Sequence, residues 1–155
     1  DAQIPLFYAI AMAVDGAAAW IIGTYYDRLK KKSGNDNAGL SALLTIPLFS
    51  IFIPMLAFSL NFIFALISAV IWGAVMGIHE TIMKSSIADL TPMKKRGTAY
   101  GLFNTAYGLA MFIGSALMGV LYDYSIPMLI GVSILLEALA VPAFFIMRKE
   151  ALKTG

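Results

Sequence analysis

Residues 37–79 read NAGLSALLTIPLFSIFIPMLAFSLNFIFALISAVIWGAVMGIH, a run of 43 residues without a single Asp, Glu, Lys or Arg. At about 1.5 Å per residue, one helix of this length would measure about 65 Å. That is about twice the thickness of the hydrocarbon core of a bilayer. The run is therefore predicted to cross a membrane twice, and the short polar stretch Ser59-Leu60-Asn61 is the expected point of reversal.

The composition of the whole chain of 155 residues agrees with a membrane environment. Only 13% of the residues are charged and 60% are hydrophobic, whereas about a quarter of the residues in soluble domains are charged. In water, a domain with so few polar side chains would expose large apolar patches. Lipid is therefore the expected solvent, and the bilayer itself is an expected partner.

The apolar segments predict an all-α, polytopic membrane protein that forms a single transmembrane bundle. A helix needs about 20 apolar residues to span the hydrocarbon core. By this measure the chain holds five spans, at about residues 4–26, 40–58, 62–83, 99–122 and 126–147. Ser33-Gly34-Asn35-Asp36-Asn37 is predicted to be a flexible loop between the first two spans.

The basic residues predict the orientation of these spans. All eleven Lys and Arg residues follow the first, third or fifth span, within residues 28–32, 84–96 and 148–153. Loops rich in Lys and Arg stay on the cytoplasmic side of a membrane. We therefore expect a multi-pass protein of the cell membrane, inner or plasma, with its amino terminus outside and its carboxy terminus in the cytoplasm.

The end of the first span carries a short motif, GTYYDRLKKK, at residues 23–32. Gly23, Asp27, Arg28 and the basic cluster resemble the loop signature that the major facilitator superfamily carries after its second and eighth helices. Lys30 departs from that signature, because the family usually has a second glycine there. The resemblance implies that Gly23, Asp27 and Arg28 form a cytoplasmic gating loop.

A second stretch, ADLTPMKKRGTAYGLFN at residues 88–104, is similar to the end of helix ten and the start of helix eleven in the same family. The resemblance covers the whole chain as helices eight to twelve. Helices two to six would give the same topology, but residues 62–83 lack the arginine that the fourth helix of the family usually carries. The resemblance thus implies the carboxy-terminal half of a transporter, with an amino-terminal half of helices one to seven as its partner.

Two carboxylates are predicted to lie deep in the membrane. Because a charged side chain at the bilayer centre costs roughly 3 kcal/mol, such residues usually have a function or a partner. Asp15 lies in the middle of the first span, with Tyr8 and several alanines at helical spacing around it. We expect it to be a substrate or proton site, or to form an interhelical hydrogen bond. Glu137, with Ser133 one turn before it, lies in the fifth span, which the resemblance makes a peripheral helix, and a structural partner or protonation is expected for it.

Other polar candidates lie in the third and fourth spans. His79 and Glu80 come near the cytoplasmic end of the third span, with Lys84 one turn later as an ion-pair partner for Glu80. A histidine that titrates near neutral pH can relay protons, although an interfacial ion pair is the simpler interpretation. Asn104 and Tyr107 add polar groups on the fourth span, either for a ligand or for neighbouring helices.

Pairs of small residues four positions apart predict where helices approach closely, because small side chains let two backbones come together in lipid. Prolines at three positions predict bends in the second and fifth spans. The small pairs are Gly73/Gly77, Gly97/Gly101, Ala110/Gly114 and Ser115/Gly119, and the prolines are Pro47, Pro54 and Pro142.

These features favour part of a secondary active transporter that moves a small solute by alternating access, coupled to protons or another ion. No cofactor, metal or nucleic acid is expected, because the chain has no glycine-rich phosphate loop, no cysteine and only one histidine. Residues 79–83 are not a zinc motif, since Met83 stands where the second histidine would be. The alternatives are a small oligomeric membrane scaffold and an intramembrane enzyme that uses Asp15 and Glu137; the expected protein is not an enzyme.

Overall fold

The computed structural model describes residues 3–33 and 45–154. The predicted loop at 34–37 and the first residues of the second predicted span, 40–44, lie outside the described residues. All the regular elements described are helices, which confirms the predicted all-α class. They are α1 (Gln3–Ser33), α2 (Thr45–Ser50), α3 (Ile53–Ala57), α4 (Phe62–Leu90), a 3₁₀ turn (Met93–Lys95), α5 (Arg96–Tyr124) and α6 (Ile126–Thr154).

Four of the described helices are long and apolar enough to cross a membrane. The apolar stretches are Ile4–Lys32, Phe62–Leu90, Met93–Tyr124 and Ile126–Met147. The second predicted span has a different form, because its described part consists of the two short helices α2 and α3 with a turn at Ile51 and Phe52 between them. Pro54 lies in the first turn of α3, a position where the missing N–H of proline costs nothing.

Local chemistry sets the ends of the long helices. The chain reverses at Ser59-Leu60-Asn61, as predicted, and the Asn61 side chain caps α4 by accepting a 2.8 Å hydrogen bond from the Ile63 N–H. Helix α4 ends before Pro92, which a helix interior does not tolerate. Ser125 separates α5 from α6 in an extended conformation.

Helix α4 is the centre of the bundle and contacts α1, α2, α3 and α5. Helix α1 runs parallel to α4 along its whole length. Phe7 meets Phe62 near one end, with ring centroids 5.3 Å apart, and Lys30 meets Asp89 at the other. Helix α5 packs on α4 and α6, while α2 and α3 lie between α4 and α6.

The closest approach between helices lies where α1 crosses α4. A Cβ atom added to Gly73 would overlap the backbone carbonyl of Ala11, and one added to Gly77 would stand 2.9 Å from the Asp15 Oδ1 atom. This confirms the packing role predicted for that glycine pair. By contrast, Gly97, Gly101, Gly114 and Gly119 on α5 have no described atom within 4 Å of an added Cβ.

The buried core is small and lies at the basic end of the bundle. Tyr26, Ile82 and Phe144 pack together there, bringing α1, α4 and α6 to the same end. Because the basic residues at the ends of α1 and α6 and in the 3₁₀ turn follow these contacts, they gather at one end of the molecule. Apart from a few buried residues such as Leu121 and Leu129, most large apolar side chains elsewhere are exposed, as lipid-facing helices require.

Candidate substrate and proton site

A cavity of about 200 Å³ lies between α4 and α5, and its lining is unusually polar for a membrane bundle. It brings together four of the predicted site residues, from two different helices. The lining residues are His79, Glu80, Lys84, Phe103, Asn104 and Tyr107. The sequence predicted Lys84 only as the ion-pair partner of Glu80. It did not predict Phe103 as a site residue, and the only indication was its position one turn before Tyr107.

Aromatic stacking holds the side chains of this site in place. The His79 ring stacks on Tyr107 across the helix interface, with centroids 5.7 Å apart and planes inclined by 28°. Tyr107 stacks in turn on Phe103 of its own helix, at 5.8 Å and 19°. Such offset arrangements each add about 0.5–1.5 kcal/mol beyond the burial of area. The histidine is thereby fixed against α5.

The charged part of the site is an ion pair on one turn of α4. The Lys84 Nζ atom donates to the Glu80 carboxylate at 2.7 Å, which confirms the predicted i,i+4 pair. Both side chains are about half exposed, at 57% and 44%, so the pair is accessible rather than locked in the interior. The Tyr100 hydroxyl donates a 2.8 Å hydrogen bond to the Lys84 backbone carbonyl and links α5 to the same turn.

The arrangement offers an imidazole, a carboxylate, an amide and a phenol around one small space with an aromatic wall. These groups can donate and accept hydrogen bonds to a small polar solute. Imidazoles as a class can relay protons, and the carboxylate of Glu80 already has an ion-pair partner in Lys84.

Asp15 and Tyr8 lie away from this cavity lining. Asp15 is half-buried in the crossing of α1 and α4, where its Oδ1 atom lies against Gly77. Tyr8 is 60% exposed on α1. Their predicted roles in substrate or proton binding stay predictions. Glu137 lies on α6 against α2 and α3, so the two carboxylates of the enzyme alternative belong to different helix interfaces.

At the predicted gating loop, α1 continues as a helix past Lys30 to Ser33. Gly23 is in ordinary contact with α4, because an added Cβ would stand 3.6 Å from the Thr81 Cγ2 atom. Asp27 and Arg28 are exposed. A role for these three residues in gating stays a prediction.

The side chains that do join α1 to α4 at this end are Tyr26 and Lys30. The Tyr26 hydroxyl donates to Asp89 Oδ2 at 3.0 Å, and Lys30 Nζ lies 2.6 Å from Asp89 Oδ1. We call these three residues the Asp89 clamp. Sequence reasoning missed it, because residues 59 and 63 positions apart along the chain carry no local signal of contact.

A multi-pass helical bundle with polar and titratable side chains in an interhelical cavity has the architecture of a membrane transporter. The sequence profile of the Major Facilitator Superfamily matches residues 3–155, and the chain belongs to this family of membrane transporters. The family favours transport over the scaffold and enzyme alternatives.

The curated relatives that the chain matches carry no functional description. Uncharacterised proteins of Mycobacterium bovis and Mycobacterium tuberculosis are 37% identical to the chain over 147 residues. The match covers 95% of the chain and 34% of each relative. The chain thus spans about a third of the length of these relatives. No solved structure matches the chain.

Proposed function

We propose that the chain is the carboxy-terminal half, helices eight to twelve, of a secondary active transporter that moves a small solute by alternating access. The observation that carries the proposal is the α4–α5 cavity, because it gathers polar and titratable side chains at one place in an otherwise apolar bundle. Family membership supports transport as the activity.

The partner in this proposal is an amino-terminal half of helices one to seven. Helix α5 supports it, because Leu121 is the only buried residue among its described side chains. Several glycines on α5, among them Gly97, Gly101 and Gly114, have no described atom within 4 Å of an added Cβ. They leave room for the backbone of another helix to approach closely. With that half in place, the α4–α5 cavity would lie between two bundles, where alternating access can expose it to either side in turn.

His79 is the proposed proton site, and the coupling ion is the proton. An imidazole changes charge near neutral pH, and stacking on Tyr107 places this one at the wall of the cavity. A proton on His79 adds a positive charge next to the bound solute. If His79 binds this proton on one side of the membrane and releases it on the other, the movement of the solute is linked to the pH gradient across the membrane.

A proteoliposome assay of the full-length protein tests this function. Solutes are screened for their ability to collapse an imposed pH gradient, followed with a pH-sensitive dye trapped in the vesicles. The His79→Gln variant is expected to lose gradient-driven accumulation and to keep solute exchange without a gradient. Tyr107→Phe is expected to weaken solute affinity by about threefold to tenfold, the size of one lost hydrogen bond.

The matched control for Tyr107→Phe is Tyr124→Phe, which removes the same hydroxyl from a side chain on the same helix that is 79% exposed. Unchanged pH-driven accumulation in His79→Gln would overturn the proposed proton role. Equal losses in the two tyrosine variants would overturn the assignment of the cavity.

The proposed orientation places the protein in the cell membrane with the basic end in the cytoplasm. The chain has no cysteine of its own, so in a full-length protein from which any other cysteine has been removed, a single introduced cysteine reports its side directly. Lys31→Cys and Lys95→Cys are expected to react with an impermeant maleimide only from the cytoplasmic side, and Asp123→Cys only from outside. Labelling of residues 31 and 95 from opposite sides would refute this topology.

A further inference from the structure

Glu137 lines two cavities on the side of α4 that faces α2, α3 and α6. The first, about 410 Å³, lies between α2, α4 and the carboxyl-terminal half of α6. The second, about 440 Å³, lies between α3, α4, α5 and α6. Each is within the range of about 300–1,000 Å³ that is usual for sites of small organic ligands. The carboxylate of Glu137 stands where the two meet.

Apart from Glu137, these cavities are lined almost entirely by apolar side chains. In the described part of the chain, the Glu137 carboxylate has no hydrogen-bond or ion-pair partner. His79 also lines the first cavity, but its ring stacks on Tyr107 of α5. The other lining residues include two aromatic side chains that bracket the space, Phe144 in the first cavity and Trp72 in the second.

We propose that this space is a binding site for an organic monocation, that is, a protonated amine, quaternary ammonium or phosphonium group on an apolar body. Charge complementarity decides the occupant. A carboxylate inside a membrane is costly unless it is compensated. A lipid chain or another neutral apolar molecule would cover the apolar walls but offer the carboxyl group no partner. A cation with an apolar body covers the walls and offers that partner, and aromatic faces such as Trp72 and Phe144 attract a cation further.

The site is distinct from the α4–α5 cavity, and only His79 lines both this space and that one. The proposal does not rest on transport, because the site needs only the packing of α2, α3, α4 and α6. Its test is accordingly a binding measurement at equilibrium with no gradient present. If the transport proposal failed, the binding measurement would still show whether this site binds a cation.

Equilibrium binding of radiolabelled tetraphenylphosphonium to the full-length protein in lipid nanodiscs tests the proposal. Glu137→Gln is expected to weaken binding by about tenfold or more, because it removes the carboxylate that faces the ligand. Glu137→Asp keeps that charge and is expected to retain most of the affinity. Asp123→Asn, which neutralises an exposed carboxylate at the end of α5, is the matched control and is expected to bind as the wild type does.

A second pair of variants keeps the test decisive if Glu137→Gln fails to fold. Ala140→Phe fills the first cavity and leaves the carboxylate in place, so it is expected to weaken binding. Ala138→Phe adds the same ring to a position of α6 that lines neither of the two cavities, and it is expected to have no effect. Neutral triphenylphosphine oxide is expected not to compete. Unchanged affinity in Glu137→Gln, or equal competition by the neutral probe, would overturn the proposal.

Discussion

The two sides of α4 are built differently. On the side of α1, the backbones of the two helices touch at Gly73 and Gly77, and the Asp89 clamp fastens their basic ends. On the side of α5, the contacts are made by long side chains, chiefly the stacking of His79 on Tyr107. Where two helix backbones touch, the helices have no room to slide past each other. Where the contact consists of stacked rings beside a cavity, they have that room. We infer that α1 and α4 move as one unit and that adjustment within this bundle occurs between α4 and α5.

The largest effect is expected from Gly73→Leu. A side chain at this position overlaps the Ala11 carbonyl, so α1 must move away from α4 along the whole crossing. Overpacking of this kind costs about 3 kcal/mol or more where backbone must shift. The free energy of unfolding in mixed detergent micelles, followed by far-UV circular dichroism as SDS is added, measures the loss.

Gly101→Leu is the matched comparison for that variant, since a Cβ added at this position of α5 meets no described atom within 4 Å. In the isolated chain its loss of stability is expected to be less than a third of that of Gly73→Leu. Equal losses in the two variants would show that the two sides of α4 do not differ as the structure indicates.

The next effect in size is expected from Asp89→Asn, which weakens the Asp89 clamp. The Asp89 side chain is only 14% exposed and accepts from both Tyr26 and Lys30, so its neutralisation removes the negative charge from this ion pair. The expected loss is about 1–2 kcal/mol, because Lys30 is partly screened by solvent at 38% exposure. Lys30→Met is expected to lose less than Asp89→Asn in the same unfolding measurement. A larger loss in Lys30→Met would contradict the account.

The sequence predicted those parts of the fold that depend on local pattern. Apolar length predicted the four long helices and the reversal at Ser59-Leu60-Asn61, and the spacing of Gly73 and Gly77 predicted a close helix contact. The same spacing at Gly97 and Gly101 predicted a contact that the described residues do not make. A pair of small residues permits a close approach between helices. Only the tertiary arrangement determines which helix makes that approach, if any.

The candidate site was predictable in part for a similar reason. Polar residues at membrane depth stand out in any apolar sequence, and four of them, His79, Glu80, Asn104 and Tyr107, do share one cavity. Neither the stacking partner of His79 nor the acceptor for Tyr26 was predictable, because both contacts join distant parts of the chain. Helical periodicity places a residue on a face but does not say which helix that face meets.

A smaller effect is expected from Tyr100→Phe on the looser side of α4. The change removes one hydrogen bond, from the Tyr100 hydroxyl to the Lys84 carbonyl, and preserves the ring. The expected loss of stability is about 0.5–1.5 kcal/mol. Hydrogen exchange by mass spectrometry is expected to quicken near residue 100 and to stay unchanged in α1. Faster exchange in α1 would show that the two sides of α4 are coupled, contrary to the comparison drawn above.

The smallest effect, opposite in sign, is expected from Gly131→Ala on α6. An added Cβ meets no described atom within 4 Å, so the methyl group costs nothing in packing, and alanine favours the helix over glycine by up to about 1 kcal/mol. Gly77→Ala makes the same chemical change at a position where the Cβ would overlap the Asp15 backbone carbonyl, and it is expected to destabilise. The pair isolates packing from helix propensity, because propensity contributes equally to both. If both variants gained stability in the SDS titration, the crossing of α1 and α4 would have to be looser than a backbone contact, and the rigid unit inferred from it would not exist.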